Sequence, residues 1–190
     1  MAQTDSPRDD QHSFEIKPSR DCVSLNQPLG IYLQLAIMPP QGSRSPKVIV
    51  PVRFDTATDF TTLPERRLEE AGVLAEGPIM KNDDPHVVHV NSGRWGERDM
   101  KLYSCTFELL FDYKRVADIS TVVASDPQPP SPATIEQYER RIHKKLGGPI
   151  RRPKPPFEGV LSLADLMKEF DVQLHHTTTG PKITLRPLNA

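Results

Sequence analysis

The residues with the clearest chemical potential lie in Phe54-Asp55-Thr56-Ala57-Thr58-Asp59-Phe60-Thr61-Thr62-Leu63-Pro64, where an apolar run meets an acidic, threonine-rich turn. A carboxylate at a strand end can activate water as a general base or, protonated, donate to a developing oxyanion. A pair held face to face does both, because two neighbouring carboxyls cannot both ionise cheaply and so share a proton. Asp and Thr are also ordinary turn and capping residues. By itself, therefore, Asp55-Thr56 reads as a structural turn, and its surroundings must decide.

The elements that would position it are mostly strands. Residues 29–38 and 48–54 are aliphatic and β-branched runs separated by Pro39-Pro40-Gln41-Gly42, which reads as a hairpin ending at Asp55. Pro51 lacks an amide donor and places its strand at an edge or a bulge. After the turn, residues 63–72 carry a proline near the start, charges at helical spacing and a closing glycine, which predicts a short helix. Residues 86–90 and 102–111 predict a second hairpin with Gly93 and Gly96 between its strands, and 116–124 a further strand. Residues 159–161 predict a strand, 163–170 a short helix, and the stretches around 172–174 and 183–185 two last strands. Many short strands with few helices predict an all-β fold.

With these elements in place, the Asp55 segment resembles the active-site loop of the retropepsin-like aspartic proteases. There Asp-Thr-Gly-Ala-Asp follows an apolar strand and leads to Thr-x-Leu-Pro; Asp55, Thr56, Asp59, Thr61 or Thr62, and Leu63-Pro64 match. Residues 159–172 resemble the family's closing strand, helix and last strand, and residues 88–98, containing Gly93, Trp95 and Gly96, resemble its glycine-tipped flap hairpin. The likeness spans roughly residues 31–188. It implies an acid-protease β-barrel subunit with short helices and a flap, forming a two-fold homodimer that brings two copies of Asp55 together. It further implies an aspartic endopeptidase acting on polypeptides with no cofactor, in which Thr56 braces the aspartates. Ala57, Asp59, Gly93, Trp95 and Gly96 would contact substrate.

Two positions depart from the family pattern. Ala57 and Ser162 stand where the family has glycine, so both add atoms to a place where backbones approach closely. A catalytically silent module that dimerises or binds peptides is the alternative these departures leave open.

The rest of the sequence bounds this reading. The chain of 190 residues, with 24 basic and 25 acidic side chains, is long enough for one cored domain and carries no net field directing it to nucleic acid or an anionic membrane. Residues 1–25 are expected to be a mobile tail and 26–190 the domain, with a Pro-flanked helical insertion at about 126–156 whose basic residues form a solvated face. Cys22 and Cys105 read as two unrelated thiols, and His175-His176 lacks a third ligand at metal spacing. No signal-like or membrane-length apolar stretch stands out, which makes a soluble cytoplasmic protein the expectation.

Overall fold

Alternation shapes the first barrel strands. In the computed structural model, which describes residues 14–16, 31–92, 96–111, 113–127, 158–177 and 180–188, strand β3 (Val48–Asp55) buries Val48, Val50, Val52 and Phe54 and turns Ile49, Pro51, Arg53 and Asp55 outward. That period of two is what a strand with one face on a core requires. Strand β2 (Tyr32–Ile37) pairs with it antiparallel, Leu35 opposite Val50 and Ile37 opposite Val48, as the expected hairpin. The Phe54 amide donates to the Ile31 carbonyl, so by alternation the position of Pro51 faces away from β2. On that other side pairing begins only at Val52. Pro51 thus sits in an internal strand where its second neighbour begins, its carbonyl accepting from the Glu158 amide at 2.7 Å while its missing amide falls before the first paired residue.

That neighbour is β10 (Gly159–Ser162), parallel to β3 and antiparallel to β4 (Thr61–Pro64). Strand β4 pairs in parallel with β9 (Lys114–Asp126), β9 pairs with β8 (Gly96–Phe111), and β8 returns to β2. The order β2-β3-β10-β4-β9-β8 therefore closes on itself as a six-stranded barrel, and β7 (Val87–Ser92) is added outside along β8. Closure removes the free edges of the ring. The barrel is filled by Leu35, Ile37, Val50, Phe107, Ile119 and Leu161, all fully buried. Phe107 lies opposite Ile37 on one side and Ile119 on the other.

A second, three-stranded sheet has the order β1 (Phe14–Ile16), β12 (Gly180–Pro187), β11 (Phe170–Thr177). Its first strand falls within the stretch expected to be a mobile tail; those three residues instead pair with Ile183, Thr184 and Leu185. Helix α1 (Glu65–Glu70) begins two residues later than expected, because Leu63 and Pro64 are held in β4 opposite Ser125 and Asp126. Gly72 follows its C-cap with a φ of 80°, where a side chain would be strained. The expected helix over 163–170 is only α2 (Leu163–Leu166), since Phe170 is buried as the start of β11. A two-residue turn at Asn82-Asp83, both with positive φ, joins β5 (Met80–Lys81) to β6 (Asp84–Pro85), the geometry that tight hairpins favour. The expected helical insertion lies outside the described residues.

The described positions flanking that insertion are fixed by charge. Asp126, at the end of β9, pairs with Arg98 of β8, their side chains only 11% and 10% exposed. Glu158, just before β10, receives both Nε and Nη2 of Arg67 on α1 at 2.8 Å, the forked geometry that makes arginine–carboxylate pairs strong.

Two measurements test this core. Phe107→Ala, which empties the barrel centre, should lower unfolding free energy by about 3–5 kcal/mol in urea titrations. Cys105 is buried on β8 and burial pushes its thiol up to about 12. In a Cys22→Ser background, Cys105 should therefore resist alkylation near neutral pH and react rapidly once denaturant is added.

Candidate active site

Consecutive strands joined by a short turn usually pair with each other, but β3 and β4 do not, because β10 lies between them. Val52 to Asp55 therefore run along β10, and Thr56 and Ala57 leave the sheet. Asp55 is the last residue of β3, and its side chain is 29% exposed. One carboxylate oxygen accepts from the backbone amide of Ala57 at 3.0 Å, a local bond that shapes the turn. The other accepts from Nη2 of Arg53 at 2.8 Å. Thr56, Ala57 and Asp59 are exposed on the same turn.

The turn is held from beneath by residues on β10 and α2. Ser162 lies opposite Asp55 in register. Its hydroxyl donates to the Thr58 carbonyl at 2.8 Å and accepts from the Ala164 amide at 3.1 Å, so one side chain caps α2 and grips the turn. The Ser162 amide donates to the Thr61 hydroxyl at 3.2 Å. Thr61, fully buried at the start of β4, donates to Asp165 from both its amide, at 3.2 Å, and its hydroxyl, at 2.5 Å. The second oxygen of Asp165 accepts from the Thr121 hydroxyl on β9 and from Nζ of Lys168 at 3.0 Å. A carboxylate only 4% exposed would be costly without such partners. Here it joins β4, β9 and α2 at one point.

Gly159 shows how tight this junction is. A Cβ there would lie 2.7 Å from the Thr62 carbonyl oxygen and 3.1 Å from a Leu63 methyl, so only glycine lets β10 slide between β3 and β4 without a backbone shift.

Of the residues singled out from the sequence, Asp55, Thr56, Ala57 and Asp59 share one turn. Gly96 opens β8 opposite Ser92 in the β7–β8 hairpin, while Gly93 and Trp95 lie outside the described residues. Ser162, expected to crowd the loop, is accommodated with its hydroxyl satisfied in both directions, and Ala57 is exposed. Sequence reasoning missed Asp165 and Arg53. Ser162-x-x-Asp165 has the spacing of a helix capping box, which signals a structured start to α2, although here the acid turns into the sheet. Arg53 is two residues before Asp55, the spacing that shares a strand face.

Among the described residues no group of three or more His, Cys, Asp or Glu is placed to hold a metal ion, and no helix is long and apolar enough to cross a membrane. No family model and no curated protein matches the chain. Among solved structures, it is similar to a retropepsin-like aspartic protease from Rickettsia conorii, with 10% identity and a TM-score of 0.44, over 92% of this chain and 90% of that one.

Replacing Ser162 by Ala removes the cap and the grip on Thr58 together. The expected cost is about 1–2 kcal/mol in unfolding free energy, with faster hydrogen exchange of the Ala164 amide. Unchanged exchange there would show that the hydroxyl bond does not hold in solution.

Proposed function

We propose that this chain is one subunit of a homodimeric, retropepsin-like aspartic endopeptidase in which two copies of Asp55 form the reacting pair. The observation that carries the reading is the Asp55 carboxylate, partly exposed at the end of β3 on a turn fixed from below by Ser162, Thr61 and Asp165. Ångström-scale placement of a reacting group is what hydrolysis of a stable bond demands, and this turn is built to supply it. The sequence resemblance of residues 54–64, 88–98 and 159–172 points the same way.

In this reading the two carboxyls share one proton. The ionised member draws a proton from a water that attacks the scissile carbonyl, and the protonated member donates to the oxygen as charge develops. The proton then passes to the departing amine, so no covalent intermediate forms. Thr56 braces the pair across the two-fold axis, Ala57 and Asp59 bind substrate backbone, and the β7–β8 hairpin, through Gly93, Trp95 and Gly96, covers the bound peptide.

A second reading, a module that dimerises or binds peptides without cutting them, is favoured by two observations. Ala57 stands in place of glycine, and Arg53 already occupies one oxygen of Asp55. Cleavage of a peptide library between about pH 4 and 7 separates the two readings. Asp55→Asn should lower the rate by at least about 10²-fold while leaving the thermal melting profile close to that of the parent. Equal cleavage by both proteins would remove the enzyme reading, and recovery of cleavage on Ala57→Gly in an inactive parent would locate the silencing there.

A further inference from the structure

The β7–β8 hairpin runs past the end of the barrel ladder. Strand β8 pairs with β9 only from Lys101 onward, so residues 96–100 have β7 as their sole strand partner among the described residues. A two-stranded ribbon is marginally stable in water by itself, so side chains must fix its position. Its two faces differ. His89, Asp99 and Lys101 stand exposed on one. On the other, Val88 lies opposite Met100 and Val90 opposite Arg98, and this face is fastened to the rest of the chain in two ways. Arg98 pairs with Asp126 at the end of β9. Met100, Leu102 and Ala124 form a buried apolar cluster, distinct from the barrel core, against which Val88 and Val90 of the hairpin pack together with Phe60.

Phe60 brings the candidate site into that cluster. It follows Asp59 on the turn and precedes Thr61, whose hydroxyl is committed to Asp165. Of residues 55–60 it alone packs into an apolar cluster, and its carbonyl accepts from the Thr58 hydroxyl at 3.0 Å. The turn is thus held by polar bonds from β10 and α2 and, separately, by one aromatic ring in the cluster that the hairpin shares. A half-buried ring between two elements couples their positions, because a shift of either one loses contact area with the other. We infer that Phe60 is a positioning residue that sets the β7–β8 hairpin against the Asp55 turn, so that the cover over a bound peptide and the turn beneath it are placed as one unit. The inference rests on the protease reading for the peptide; the tether itself rests on the packing of Phe60.

The test uses the full chain and first reads the hairpin without turnover. Because the Leu102 amide donates to the His86 carbonyl, alternation puts the amides of Val88, Val90, Arg98 and Met100 inside the β7–β8 ladder. Phe60→Ala should speed their native-state hydrogen exchange by about tenfold, as a local opening that loses the ring contact. Phe60→Leu, which keeps an apolar side chain in place, should restore most of the protection. Ile119→Val, a substitution in the barrel core, lowers global stability by about 0.5–1.5 kcal/mol and should leave hairpin exchange as in the parent. In peptide-library cleavage, Phe60→Ala should lower kcat/KM by about tenfold, chiefly through KM, whereas Ile119→Val should leave KM unchanged.

Faster hairpin exchange in Phe60→Ala, with no cleavage by the parent or any variant, would uphold the tether and overturn the protease reading. Cleavage by the parent, with hairpin exchange and KM both unchanged in Phe60→Ala, would overturn the role of Phe60 and leave the protease reading standing. Equal acceleration of hairpin exchange by Ile119→Val would also overturn that role, because the hairpin would then open only with the whole domain.

Discussion

The Asp55 turn depends on a strand that arrives about a hundred residues later. Because β10 lies between β3 and β4, the two flanks of the turn are joined to each other only through Gly159, Val160, Leu161 and Ser162. The space available is set by backbone alone at Gly159, where even a methyl would meet the Thr62 carbonyl. Everything on the turn inherits its position from that insertion. Asp55 is aligned by its register with Ser162, Thr58 is held through the Ser162 hydroxyl, and Thr61 is anchored by Asp165.

Burying Asp165 is the costly part of this arrangement. A carboxylate taken out of water loses more than any single hydrogen bond restores. With four donors converging on it from Thr61, Thr121 and Lys168, the group is satisfied only when β4, β9 and α2 occupy their proper places. Such a network contributes little net stability and rejects neighbouring arrangements, because a slipped register leaves donors and carboxylate without partners. The apolar barrel, with Phe107 and Leu35 at its centre, supplies the driving force. The polar junction supplies the positional specificity.

Much of the fold was legible as local pattern. The alternation in residues 48–55 marked both the strand and its buried face, and the β-branched and glycine-tipped stretches marked two hairpins. Strand β4 was not legible. Four residues, Thr61–Pro64, carry too little periodicity, and their strand character comes from pairing with β9 and β10, which no local window contains. The helix expected over 163–170 stopped early for a similar reason, since the burial of Phe170 in a sheet overrode a helical pattern. At the candidate site, Asp55 was singled out because its surroundings resemble a known loop. Arg53 was visible by spacing and passed over, because a charged residue at a strand end is commonly solvent-facing. Asp165 looked like an ordinary first-turn acid of a helix, and only the register of β4 and β9 gives it donors.

The two charged anchors beside the 127–157 stretch have a bearing on how such a chain can change over generations. Asp126 is fastened to Arg98, and Glu158 to Arg67. The barrel's demand for a fixed exit and a fixed re-entry is thus met by Arg98 on β8 and Arg67 on α1. A change at Asp126, Arg98, Glu158 or Arg67 would therefore reach β9, β10 and the turn they support, so these four positions are held to their charges over generations by the same junction that cannot admit a single methyl group at Gly159.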